Sequence, residues 1–227
     1  MRFSNDYMLM TLILTVMFTG CGDTPLSKQT FSGTLELTEH QLGPKSSGKV
    51  ATLSVDEGSL VKAGDMIATL DRYEQTKKDY QRAKKSYQQG GLNLQALEYA
   101  KLAMEDQQVV APIDGVILLK VHEVGESITA GAPVVVLGDL KDQWVKIYVP
   151  EGIVNQIQMG AKAVLTFDGL GKQYNGHVRY IATKAEFTPR NVQTPEERVT
   201  QAFALKIALD EPDQKAHTGV AVDVHFQ

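Results

Sequence analysis

The sequence predicts a mainly β protein with an α-helical hairpin set into it. Three observations carry that expectation. A short β unit occurs twice, at Gly48–Asp71 and Gly115–Gly138, with an offset of 67 residues. A glycine-punctuated helical stretch, Arg72–Gln108, separates the copies. A run of further strand-like segments follows from Asp139 to the end.

The repeat is read first because internal self-similarity fixes architecture. GKVATLSVDEGSLVKAGDMIATLD lies over GVILLKVHEVGESITAGAPVVVLG without a gap. Gly48 meets Gly115, Gly58 meets Gly125 and Gly64 meets Gly131. Between them Val50 meets Ile117, Val61 meets Ile128, Ile67 meets Val134 and Leu70 meets Leu137. Both copies read as short strands broken by turns in which glycine supplies positive φ. A copy this small exposes an apolar face, and two copies laid face to face bury each other. GxVxxxxVxEGxxVxxGxxIxxLD followed by APxDGVI…GExIxxGxPVVVLG resembles the split biotinyl-lipoyl domain of HlyD-type membrane fusion proteins, the periplasmic adaptors of bacterial efflux and secretion pumps. The resemblance runs from about Gly33 to the end. It implies a split biotinyl-lipoyl-like β domain interrupted by a short antiparallel coiled coil and followed by a small β-barrel.

At the N-terminus, Met8–Phe18 is an apolar run shorter than the roughly 20 residues a bilayer span needs, which suits a signal-peptide core. Phe18-Thr19-Gly20-Cys21 resembles a bacterial lipoprotein box, with Phe18 in place of the more usual Leu. That assigns residues 1–20 to a signal peptide and makes Cys21, the single cysteine, the lipidated first residue of the mature chain. A lone cysteine forms no internal disulfide. Several acyl chains anchor stably where one does not. Residues 21–30 read as a tether. Phe31–Leu37 alternates as an edge strand entering the body, and Gly43–Ser47 is a turn. The split domain is therefore 31–71 plus 109–138.

Residues 72–108 are rich in helix formers and contain no proline. Gly90-Gly91 breaks them into two antiparallel helices. Tyr73, Tyr80, Tyr87 and Ala83 are expected to form a seam with Leu94, Leu97, Lys101 and Met104. The first helix is basic and the second acidic, which is expected to support their pairing. About 18 residues per helix gives roughly 27 Å. Longer-hairpin relatives dock to outer-membrane channels through tip residues that resemble an Arg, a Leu four positions on and a Ser seven after that. Here Arg82 matches, while Ser86 and Asn93 depart. Arg82, Ser86, Gly90, Gly91 and Asn93 are the candidate tip residues, and weak or no docking to a tunnel-type channel is expected.

Residues 139–227 carry five strand-like segments, at 144–149, 162–168, 174–182, 202–209 and 220–226, with a short helix after Pro150. Five or six strands and a capping helix make a small closed barrel. The polar loop Glu186–Arg198 resembles one found in adaptors of ABC-type exporters. Ending at Gln227, the chain is expected to have no further membrane-proximal domain.

The net charge of −4 gives no footprint for nucleic acid. His40, His122, His177, His217 and His225 lack metal-ligand spacing. No Walker-type run or nucleophile motif occurs, so neither catalysis nor a cofactor is expected. A lipoyl or biotin carrier would offer a lysine on the turn joining its halves. Here Asp71 leads into Arg72 and the helical insertion. A lipid-anchored periplasmic scaffold without a pump is the other alternative. The resemblance implies a hexameric ring above an inner-membrane transporter, ABC-type favoured over RND-type. The protein would be held in the periplasm by a lipid anchor, with the inner membrane favoured.

Overall fold

The structure is a computed structural model and describes residues 29–169, 172–187, 201–213 and 217–227. The predicted lipidation site Cys21, with its signal peptide, and the loop residues 188–198 lie outside the described residues.

The repeated unit folds as two four-stranded sheets of matching order. One is β5 (Gln108–Val110), β4 (Met66–Leu70), β2 (Gly48–Leu53) and β7 (Ser127–Ile128). The other is the second half of β1 (Thr30–Leu42), then β8 (Val135–Pro150), β6 (Gly115–Lys120) and β3 (Leu60–Val61). Each sheet takes strands from both copies, so the copies interlock. The Gly58 N–H donates to the Ile117 carbonyl at 2.8 Å, and the Ile117 N–H returns to the Ser59 carbonyl at 2.9 Å. The mirror pair is Gly125 N–H to Val50 carbonyl and Val50 N–H to Glu126 carbonyl, both 2.8 Å. Gly58 and Gly125 take φ of 81° and 98°, the turn conformation expected of them. The bulges repeat too, between Val50 and Thr52 and between Ile117 and Leu119.

The repeat is longer than its sequence suggested. Thr69 pairs with Gln108 and Ala68 with Val109; at the same offset Val136 pairs with Gln41 and Val135 with Leu42. Gly64 N–H donates to the Ala111 carbonyl and Gly131 N–H to the Pro44 carbonyl, both at 2.8 Å. Ala111 N–H returns a bond to Asp65 at 2.9 Å. Pro44, its counterpart, has no N–H to give. The core of this domain is built from the matched apolar pairs: Val50, Val61, Ile67 and Leu70 with Ile117, Ile128, Val134 and Leu137 are all buried. Each fully buried side chain of this size contributes about 1.5–3 kcal/mol, a gain neither copy reaches alone.

β1 is not the edge strand its alternation predicted. Its second half pairs with β8 in the repeated domain, and its first half enters the barrel between β8 and β13 (Ala221–Phe226). The barrel closes through β9 (Lys162–Phe167), β10 (Gln173–Ile181) and β12 (Gln201–Leu209), which returns to β8. β1 thus supplies the sixth strand, and Phe31 and Leu35 lie in the barrel core. The five strand-like segments recognised in the sequence supply the other five. β11 (Glu186–Phe187) extends the sheet beyond β12. The short helix α3 (Glu151–Val154) follows Pro150, and Val154 joins the barrel core.

Where β1 and β8 pass between the domains, the ladder slips: Leu37 pairs with Gln143 but Thr38 with Asp139, leaving 140–142 looped out. A polar cluster fills the slip. The Thr38 hydroxyl donates to Asp142 at 2.5 Å, and Arg179 pairs with the other carboxylate oxygen. Arg179 sits on a bulge of β10 between Val178 and Tyr180. Gln143, 1% exposed, donates to the Asp213 carbonyl at 2.9 Å and accepts its N–H at 3.0 Å. The Thr38 hydroxyl, and after it Arg179, holds the Asp142 carboxyl below the ordinary carboxylate range against the opposing effect of burial.

Two predictions follow from this architecture. Replacing residues 72–106 with a four-residue Gly/Asn turn leaves a β body with one cooperative thermal transition, because the Leu70 N–H already bonds the Gln107 carbonyl at 2.9 Å. Loss of that transition would contradict the split-domain fold. Asp142 has a lowered folded pKa, so its stabilisation is complete above the unfolded value of about 4 and disappears as pH falls through the folded one. The melting-temperature gap between wild type and Asp142→Asn is therefore expected to be largest near neutrality and to close below about pH 4. A gap independent of pH would assign the effect to shape alone.

Candidate functional site: the inserted hairpin

The hairpin rises from the β4–β5 edge. Helix α1 spans Tyr73–Gln88 and α2 spans Leu94–Glu105, 16 and 12 residues. At 1.5 Å per residue they reach about 24 and 18 Å, less than the roughly 27 Å expected. Two local causes shorten α2. Asn93 is its N-cap, with its side-chain oxygen accepting the Ala96 N–H at 2.9 Å. At the other end Gln107 leaves the helix to bond Leu70, and Gln108 already belongs to β5.

The tip is a C-terminal helix cap built from most of the predicted tip residues. Gly90 takes φ of 75°. Its N–H donates to the Tyr87 carbonyl at 3.0 Å, and the Gly91 N–H donates to the Ser86 carbonyl at 2.9 Å. This is the Schellman arrangement, which needs a residue tolerant of positive φ where Gly90 stands. Ser86, Gly90, Gly91 and Asn93 are therefore gathered at the tip. Arg82 is not with them. It stands eight residues before Gly90, about 12 Å lower on the helix, and pairs with Asp79 one turn away. Arg82, and then Gln75, hold the Asp79 carboxyl below its ordinary range.

The seam differs in part from its sequence expectation. Tyr73, Thr76, Tyr80 and Ala83 are half-buried on α1, as are Ala96, Leu97, Ala100 and Met104 on α2. Leu94 is 52% exposed, Tyr87 is 40% exposed and Lys101 is also exposed, so these three leave the predicted seam. The small residues Ala96 and Ala100 take the inward positions, one helical turn apart. Neither helix has a fully buried residue. The charge expectation is also corrected: the hairpin's ion pairs, Arg82–Asp79 and Lys101–Glu105, run within one helix each, and none among the described residues crosses the seam.

Elsewhere, among the described residues, no group of three or more His, Cys, Asp or Glu is placed to hold a metal. No described helix is long and apolar enough to cross a membrane. The polar junction of Thr38, Asp142, Gln143 and Arg179 was missed from the sequence. The sequence carries no local signal for it, because its members come from β1, β8 and β10.

Comparison with known proteins agrees with this geometry. Residues 39–138 match the model of the barrel-sandwich hybrid domain of RND membrane fusion proteins. A UPF0194 membrane protein of Acidithiobacillus ferridurans is 33% identical over 131 residues, 57% of this chain and 39% of that protein. One from Citrobacter koseri is 33% identical over 128 residues, again 39% of its length. The chain thus spans about two fifths of the length of these curated relatives. Among solved structures, a MacA–MexA chimeric protein containing the Pseudomonas aeruginosa MexA α-hairpin domain superposes with a TM-score of 0.60 at 18% identity, covering 87% of this chain and 80% of that one. ZneB from Cupriavidus metallidurans gives 0.56 at 17%, covering 87% and 97%. The periplasmic adaptor protein EmrA gives 0.52 at 14%, covering 90% and 100%. Over residues 39–138 the chain therefore matches the barrel-sandwich hybrid domain of membrane fusion proteins, and its described fold is the one these solved proteins share.

Proposed function

We propose that the protein is a periplasmic adaptor subunit of a bacterial efflux or secretion pump, working by assembly and not by chemistry. One observation carries this reading. The two dyad-related edges of the repeated domain each grow an extension: α1 and α2 from β4–β5, and the barrel from β1–β8. The result is a spacer with one helical and one β end. Protomers stand side by side as a hexameric ring, with the barrel ends toward an inner-membrane transporter.

The polar segment 186–198 favours an ABC-type transporter, and the RND type of the matched domain model supports an RND-type transporter as the alternative. Lipidation at Cys21 holds the assembly at the inner membrane. The short hairpin ends within the periplasm without docking to a tunnel-type outer-membrane channel: Arg82 matches the Arg of the docking pattern but stands below the tip, and Ser86 and Asn93 depart from it.

The test is purification of the full-length protein from mildly solubilised membranes. A polytopic inner-membrane transporter is expected to accompany it, and an ATPase subunit beside that transporter identifies the ABC class. Cys21→Ala is expected to move the protein out of the membrane fraction. Stoichiometric recovery without any transporter would replace this reading with that of a lipid-anchored scaffold.

A further inference from the structure

The two sheets of the repeated domain share one backbone design but not one outer surface. On the sheet of β1, β8, β6 and β3, Leu60 is 74% exposed and Leu119 50% exposed. Leu60 lies directly opposite Val116, and Leu119 opposite Val136. At the offset of 67, the mates of Leu60, Val116, Leu118 and Leu119 are Ser127, Lys49, Ala51 and Thr52. The same fold is thus built with polar or small side chains at all four places, so an apolar set there answers to something other than folding. This face runs into a groove beside the barrel. A Cβ on Gly138 would meet Leu37 Cδ1 at 2.8 Å and Leu118 Cδ1 at 3.0 Å, so these two leucines lie over the glycine as a floor. Thr218–Gly219 form a wall, held to β1 by the Gly219 N–H donating to the Leu35 carbonyl at 2.8 Å and the Leu35 N–H donating to the Val220 carbonyl at 3.0 Å. The cavity has a volume of about 350 Å³, in the range of small-molecule sites. Glu36 and Glu39 line it, and neither joins an ion pair among the described residues. Lys146, on the neighbouring strand, is turned to Glu186 at 3.9 Å.

We infer that this groove binds an organic cation with an apolar body. The inference rests on the adaptor reading and names the class of molecule exported. Charge complementarity selects the occupant. Two carboxylates without a basic partner stand over an apolar floor, so a positive charge is attracted while the apolar part of the same molecule is removed from water. An anion of the same shape would gain the burial and lose on charge. The exposed Leu60 and Leu119, with Val116 between the floor and Leu60, give a larger apolar body room to lie along the sheet. The other sheet offers no second site of this kind, because Lys49 stands where Val116 is and presents a like charge to a cation. Position agrees with a role in transit. The groove sits where β1 leaves the repeated domain for the barrel, between the two ends of the spacer, and its open side lets a bound molecule leave.

The test uses the full-length protein in phosphatidylcholine nanodiscs, with empty nanodiscs as the blank. The probes are tetraphenylphosphonium and tetraphenylborate, which have the same shape and opposite charge. In equilibrium dialysis the wild type is expected to bind the cation about tenfold or more tightly than the anion. Glu36→Gln combined with Glu39→Gln is expected to weaken cation binding about tenfold and to remove the preference, and raised salt is expected to weaken the wild-type contact. Leu118→Ala, which copies Ala51 of the other sheet, is expected to weaken binding several-fold. A single cooperative thermal transition in each variant separates a lost site from a lost fold. Equal binding of the two ions by the wild type, or cation binding unchanged in the double glutamine variant, would overturn the site and leave the adaptor reading standing. Selective cation binding by a chain that brings no transporter through purification would support the site and overturn the adaptor reading. Photocrosslinking from Leu60 to a polypeptide in membranes, without cation binding, would reassign the face to a protein partner and overturn the inference.

Discussion

The four backbone hydrogen bonds between Val50, Gly58, Ile117 and Gly125, with Ser59 and Glu126 as the returning partners, are what the rest of the molecule depends on. Each copy of the repeat folds its turn over the other copy's strand. The bonds are short-range in space but connect residues 58 or more apart in sequence. Their closure entropy is offset only when the matched apolar pairs come together beneath them. Neither copy is a domain by itself. The interlock makes the outer edges β4–β5 and β1–β8 equivalent, and gives the chain two places from which something can be extended without disturbing the core.

The two extensions are held differently. The barrel has its own core, from Phe31 to Phe226, and continues the ladder through β1 and β8 without a flexible linker. At the slip, Thr38, Asp142 and Arg179 tie β1, β8 and β10 together, and Gln143 bonds the Asp213 backbone. The hairpin has no such core. Its helices of 16 and 12 residues are near the length at which isolated helices are marginal in water. Their root in the sheet, the caps at Gly90 and Asn93 and a half-buried seam are what hold them.

Much of this was legible in the sequence because it is periodic or glycine-dependent. The offset of 67 placed the core pairs, Gly58 and Gly125 marked the turns, and Gly90-Gly91 marked the hairpin tip. What escaped was set by tertiary pairing. Gln41–Ser47 and Gln108–Asp114 are also repeat mates, but Pro44 against Ala111 and Gly43 against Val110 hide the relation. β1 looked like an edge because alternation reports which faces are buried, not how many strands flank them. Lys101 and Leu94 were assigned to the seam by heptad counting, whereas Ala96 and Ala100 let the helices approach. The Asp142 cluster has no local pattern at all, since its members come from β1, β8 and β10.

Native-state amide exchange tests the interlock most directly. The N–H groups of Val50, Gly58, Ile117 and Gly125 are each bonded across the repeat. They are expected to exchange only through global unfolding, with protection matched to within about tenfold, while the amides of α1 and α2 exchange through local opening. If Val50 and Gly125 instead exchanged orders of magnitude faster than Gly58 and Ile117, one side of the interlock would open alone, and the account of two mutually dependent copies would be contradicted.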